Sequence, residues 1–130
     1  MKKLCFLLLA ALLLTACAQA GETKQEASYM NITAEEAKAI MDRAEDYILL
    51  DVREREEYNA GHIPGAILIP YTELETRAEA ELPQKDQLIL VYCRSGRRSK
   101  IAAETLLALG YTNIREFGGI IDWPYEVVAP

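Results

Sequence analysis

Leu88-Ile-Leu-Val-Tyr-Cys93, followed at once by Arg94-Ser-Gly-Arg-Arg-Ser99, decides how this chain is read. The stretch over 87–92, apolar without a break from Leu88, suits a strand buried on both faces, as in a parallel sheet. That strand delivers the chain to Cys93. A short loop follows, and the pattern from Ser99 to Leu109, closed by Gly110, predicts an apolar helix. The thiol therefore sits between a strand's carboxyl end and a helix N-terminus, where open α/β sheets bind their ligands. Free N–H groups and the helix dipole favour an anion there. Arg94, Arg97 and Arg98 add positive charge to the same loop. Such surroundings depress a thiol pKa, so Cys93 reads as a nucleophile rather than an inert core cysteine.

Outward from this loop, strand and helix signals alternate. Met30 to Ile32 is a short strand candidate. Thr33-Ala-Glu-Glu36 is a capping-box pattern that opens a helix through Arg43, with Ala37, Ile40 and Met41 on one face. Tyr47 to Val52 is a second continuous apolar run, interrupted only by Asp51 at its end. A short helix is expected over Glu54 to Tyr58, a turn at Gly61-His-Ile-Pro-Gly65, and a strand over Ala66 to Ile69. Tyr71 to Leu82 reads as a polar helix anchored by Leu74. Asn113 to Arg115 is the last strand, and Gly118-Gly119 opens a terminal helix that ends near Trp123. This alternation predicts an α/β domain with a mainly parallel sheet.

Composition narrows the classes. The chain has 130 residues and a net charge of −6, which argues against a nucleic-acid binder, because such a protein needs a basic face. Three cysteines make no disulfide framework and one histidine makes no zinc site. The N-terminus reads as a separate element. Lys2 and Lys3 precede an apolar run from Leu4 to Leu14, too short to span a bilayer and suited to a signal peptide over 1–16. Leu14-Thr-Ala-Cys17 resembles the lipobox of bacterial lipoproteins. That resemblance implies cleavage before Cys17, diacylglycerol on its sulfur and an extracytoplasmic, membrane-anchored protein. An ordinary secretory signal is the alternative. Residues 17–29 then form the lipidated cysteine and a polar, flexible tether. Residues 30–130 form the folded domain. With Cys5 removed and Cys17 acylated, Cys93 would be the one free thiol, in a compartment that oxidises stray thiols.

Four segments together resemble the rhodanese-like domains: Leu50-Asp-Val-Arg53 with Glu57-Tyr58, Gly61-His-Ile-Pro-Gly-Ala66, Cys93-Arg-Ser-Gly-Arg-Arg-Ser99, and Phe117-Gly-Gly-Ile-Ile-Asp-Trp123. The resemblance covers Met30 to Trp123. It implies a three-layer α/β/α domain with a five-stranded, mostly parallel sheet, and transfer of sulfane sulfur through a cysteine persulfide. Cys93 would be the nucleophile. The backbone from Arg94 through Ser95, Gly96, Arg97 and Arg98 to Ser99 would cradle the outer sulfur, as an oxyanion hole holds an oxygen. Arg94, with Arg97 or Arg98, would attract a small anionic donor such as thiosulfate. Ser99 is expected as the helix N-cap, its hydroxyl turned to the amides.

Asp51 and Arg53 would order the loops around the pocket, and His62 would organise its turn through a hydrogen bond. Trp123 reads as a packing anchor, and Glu54 to Glu57 as a solvated helix face, with pairing of Glu57 to a nearby arginine as the alternative. The acceptor would be cyanide or a thiol, including one on a protein. The resemblance implies no cofactor and no metal, and a monomer is expected. Two other readings stand beside it. One is a non-catalytic or sulfur-relay binding module at the cell surface. The other is a cysteine phosphatase or arsenate reductase of the same fold. Those enzymes place five residues between Cys and Arg, whereas here three precede Arg97 and four precede Arg98.

Overall fold

The computed structural model describes residues 27–130, so the leader and the tether up to residue 26 lie outside the described residues. The element order is β1 (Met30–Asn31), α1 (Ala34–Arg43), β2 (Tyr47–Asp51), α2 (Arg55–Ala60), β3 (Ile67–Leu68), α3 (Leu74–Glu81), β4 (Leu88–Cys93), α4 (Arg97–Ala108) and β5 (Ile114–Gly119). Short 3-10 turns at Tyr71–Glu73 and Ile120–Asp122 complete it. The five strands form one sheet in the order β1-β5-β4-β2-β3, and every pairing is parallel. Among the described residues, no helix is long and apolar enough to cross a membrane.

Strand alternation builds the two sides of the core. Leu50, Ile89, Val91 and Cys93 pack with Leu74, Ala78, Ala102, Ala103 and Leu106, the buried face of α3 and α4. Leu49, Leu90 and Tyr92 point to the other side, with Ala37 of α1, Ile63, Phe117 and Trp123. That arrangement is the expected α/β/α sandwich. Helix α1 starts as its capping box predicts. Thr33 Oγ1 accepts from the Glu36 amide at 3.1 Å, and Glu36 accepts from the Thr33 amide at 2.8 Å. The apolar runs over Tyr47–Asp51 and Leu88–Cys93 become β2 and β4, the centre of the sheet.

Three boundaries differ from expectation. The helix after the cysteine loop begins at Arg97, two residues before Ser99, with Gly96 as its N-cap. Gly96 has a φ of 110°, a left-handed conformation that turns the chain sharply out of the loop. Ser99 is therefore not the N-cap. It is the third helical residue, and its side chain is fully buried. Strand β5 runs on to Gly119 instead of stopping at Arg115, because Glu116 is buried and paired with Val91. Gly118 and Gly119 consequently end a strand rather than open a helix.

The connections place the site. After β2 the chain moves outward to β3, and after β4 it moves the other way to β5. The order reverses between β2 and β4, so a crevice opens beyond their carboxyl ends. Asp51 ends β2 and Cys93 ends β4.

Candidate active site

Cys93 is 1 % exposed, at the carboxyl end of β4, and is the free cysteine among the described residues. The Gly96 amide donates to its Sγ at 3.0 Å. Ser99 Oγ lies 3.4 Å from the same sulfur. Burial pushes the thiol up. The Ser99 hydroxyl and the amides of Ser99, Gly96 and Ser95 together outweigh that effect and hold it below the ordinary thiol value. The loop thus presents several N–H groups to one sulfur atom.

Two backbone contacts hold the loop's shape. Ile121 N–H donates to the Arg94 carbonyl at 3.2 Å. Gly119 lies against the same stretch: a Cβ there would overlap the Arg94 carbonyl and the Ser95 nitrogen. Close backbone approach thereby explains Gly119, whereas Gly118 is explained by its left-handed φ of 84°.

The arginines of the loop differ in their surroundings. Arg94 is exposed and lines a cleft of about 320 Å³ with Arg53, Glu57, Ala60, Gly61, Ile120 and Ile121. Arg97 is also exposed. Arg98 donates to both carboxylate oxygens of Glu57, at 2.6 and 2.7 Å. Its fork supports the rim of the cleft, and its charge is matched there. The Arg98 hydrogen bonds hold the Glu57 carboxyl down to about 2, with help from the Glu54 amide and against burial. Of the two arginines left open by the sequence, Arg98 is the one tied to the wall.

Asp51 is fully buried and Arg53 is 5 % exposed, so they are no solvated surface pair. Arg53 donates to Asp51 through its amide at 3.0 Å, through Nε at 3.0 and 3.1 Å, and through Nη2 at 2.8 Å. The same Nη2 donates to the Gly61 carbonyl at 2.7 Å. Tyr92 O–H donates to Asp51 at 2.6 Å and accepts from the Ile63 amide at 3.1 Å. This network ties β2 and β4 to the Gly61-His-Ile-Pro turn. Burial, then Asp51, pushes the Tyr92 phenol upward, so it remains a donor. His62 Nδ1 lies 2.9 Å from the Tyr58 carbonyl, and its ring stacks on Tyr58 at 3.7 Å between centroids. Its backbone pairs with Val128. His62 holds the turn and forms no hydrogen bond to the sulfur. Trp123 packs on Phe117 with ring centroids 5.7 Å apart.

Two groups were not singled out from the sequence. Tyr92 reads there only as the end of an apolar strand. Glu116 is 2 % exposed, accepting from Ser99 Oγ at 2.6 Å and from the Gly118 amide at 2.8 Å. The signal for it was an acid directly before Phe117-Gly-Gly, in a segment otherwise bound for the core. Among the described residues, no group of three or more His, Cys, Asp or Glu side chains could hold a metal ion.

A parallel α/β sheet that ends in a cysteine, cradled by the amides of a following helix, defines a class of domains built around one activated thiol. Within that class this chain belongs to the rhodanese-like domain family, which matches residues 33–124. It is 42 % identical over 106 residues to YrkF of Bacillus subtilis, named provisionally a sulfur carrier protein. That match covers 79 % of this chain and 56 % of the relative. It is 41 % identical over 73 residues to the thiosulfate sulfurtransferase PspE of Escherichia coli, covering 56 % of this chain and 70 % of that one. Among solved structures, an Escherichia coli rhodanese with anions superposes with a TM-score of 0.61 at 37 % identity, over 65 % of this chain and 99 % of that one.

Proposed function

We propose that this protein is a sulfurtransferase that moves sulfane sulfur through a persulfide on Cys93. The observation that carries the reading is the sulfur's setting: a buried thiol held below its ordinary value by the Ser99 hydroxyl and converging amide donors. Thiolate attack on thiosulfate forms a bond from Sγ to the outer sulfur. The sulfur–sulfur bond of thiosulfate breaks, and sulfite leaves with its electron pair. A thiophilic acceptor, cyanide or a thiol, then takes the outer sulfur and returns the thiolate. The same amides would hold the negative outer sulfur as it develops, in the manner of an oxyanion hole. Arg94, beside Ile120 and Ile121 in the cleft, would meet the incoming anion.

Incubation with thiosulfate should add the mass of one sulfur atom to the protein, and mild reduction should remove it. Cys93→Ser should abolish both the adduct and transfer while the fold stands. Transfer that survives in this variant would refute the enzyme. An adduct without turnover would favour a sulfur carrier, the role named for the Bacillus relative. A phosphatase reading fits less well, because Arg98 is engaged by Glu57 and not free to grip phosphate.

We also propose that Cys17 carries lipid and anchors the domain outside the cytoplasm. The support lies in the sequence: two lysines, the apolar run and Leu14-Thr-Ala-Cys17. Cys17→Ala should yield an unlipidated species, unprocessed or soluble. A variant that is cleaved and fractionates with membranes like the wild type would refute the lipid anchor.

A further inference from the structure

Glu116 is a buried carboxylate with no ion-pair partner among the described residues. A buried, unpaired carboxylate opposes folding unless something else favours its place. Its nearest polar neighbours are Ser99 Oγ at 2.6 Å and the Gly118 amide at 2.8 Å. Ser99 Oγ also reaches the carbonyls of Gly96 at 3.0 Å and Gly118 at 3.2 Å, and Cys93 Sγ at 3.4 Å. A hydroxyl has one proton to donate. The shortest contact, and the one to a carboxylate, takes it. The oxygen then has a lone pair for the thiol. The three groups form a directed chain: Cys93 S–H to Ser99 O–H to the Glu116 carboxylate.

We propose that Glu116 is the proton acceptor for Cys93, acting through Ser99. The thiol proton moves to Ser99 Oγ as the Ser99 proton moves to Glu116 Oε1. Afterwards Ser99 donates to the thiolate and the protonated carboxyl donates to Ser99. Both hydrogen bonds of the chain survive with their direction reversed, while the Gly96 and Gly118 amides go on donating, so no side chain has to move. In the transfer reaction the thiol, the Glu116 carboxylate and thiosulfate become the persulfide anion, the protonated carboxyl and sulfite. When the acceptor has taken the outer sulfur, the proton returns to Cys93. The inference deepens the sulfurtransferase reading, but its first step, thiolate formation, needs no sulfur donor.

The groups that share this environment are few. Ser99 and the Gly118 amide touch the carboxylate, Cys93 lies beyond Ser99, and the Tyr29 phenol senses both Glu116 and Glu104 of α4. The cation coupled to Cys93 is Arg98, whose charge Glu57 matches, and no cation pairs with Glu116 among the described residues. Simple charge repulsion therefore makes the opposite prediction: neutralising Glu116 should ease thiolate formation.

The test is the pH profile of Cys93 alkylation by iodoacetamide. With Glu116→Gln, which keeps shape and acceptor, the rate near pH 6 should fall by about tenfold, equivalent to about one pKa unit. Ser99→Ala should fall similarly, and the double variant should lose no more, since both residues serve one path. A rate that is unchanged or faster in Glu116→Gln overturns the relay. Should that variant not fold, infrared difference spectra of the wild type decide. The thiol S–H band should fade as a protonated-carboxyl band grows, and fading without that growth overturns the proposal. Turnover with normal alkylation in Glu116→Gln would refute the relay and leave the sulfurtransferase standing. Slowed alkylation in a protein that takes no sulfur from thiosulfate would do the reverse.

Discussion

Replacing Arg94 and, separately, Arg98 by Ala should give opposite kinds of damage, although both carry the same charge in the same loop. The two pairs that wall the cleft, Arg53 with Asp51 and Arg98 with Glu57, each cancel internally. Arg94 is exposed, lines the cleft and forms no ion pair with a described residue. It therefore supplies the cleft's unmatched positive charge, on a chain whose net charge is −6. A hydrogen bond to a charged group is worth about 1.5–3 kcal/mol, which is roughly ten- to hundredfold in kcat/KM. For Arg94→Ala that loss should appear mainly in KM for thiosulfate. An arginine at the mouth binds the anion alike in ground and transition states, whereas the amides around Cys93 remain. The screening length falls from about 10 Å at 0.1 M salt to about 3 Å at 1 M, so the difference from wild type should shrink at high salt. Arg98→Ala should instead lower stability and change KM little. Steady-state kinetics at low and high salt, with urea unfolding in parallel, test the contrast. An unchanged KM with a collapsed kcat for Arg94→Ala would refute the attraction argument, as would equal KM effects from the two variants.

Asp51→Asn should destabilise the fold by about 3–5 kcal/mol, because it leaves the Arg53 guanidinium buried beside a neutral amide that cannot match four donors. Urea unfolding followed by Trp123 fluorescence reads this, and a loss below about 1 kcal/mol would contradict the buried network. The Glu57–Arg98 pair should stabilise in a pH-dependent way. Its folded carboxyl, at about 2, lies below the unfolded value of 4.5. The contribution is therefore complete above the unfolded value and is lost as pH falls toward the folded one. With part of the pair open to solvent, it should amount to about 1–2 kcal/mol. The stability gap between wild type and Glu57→Gln should accordingly close between about pH 5 and pH 2, and a gap independent of pH would refute the assignment.

Much of the architecture is legible before any coordinates, because its causes are local. Thr33 and Glu36 cap α1 through contacts three residues apart. The apolar runs before Asp51 and Cys93 can be covered on both faces only at the centre of a parallel sheet. The cysteine loop announces itself because a strand, a glycine and a helix in that order bring amides onto one sulfur. The tertiary structure alone decides which charged groups act there. Arg98 is neutralised by Glu57 from 41 positions away, across the cleft. Tyr92 reaches Asp51 over the same separation, between neighbouring strands. Ser99 looks like a cap in sequence, yet the left-handed turn at Gly96 starts the helix two residues sooner and rotates its hydroxyl inward. Glu116, 17 positions further on, meets that hydroxyl only because β5 continues past Arg115 alongside β4. Backbone preference and burial act over a few neighbours and leave a mark in the sequence. The pairing of buried charges depends on which distant elements the sheet order sets side by side, and no local pattern records it.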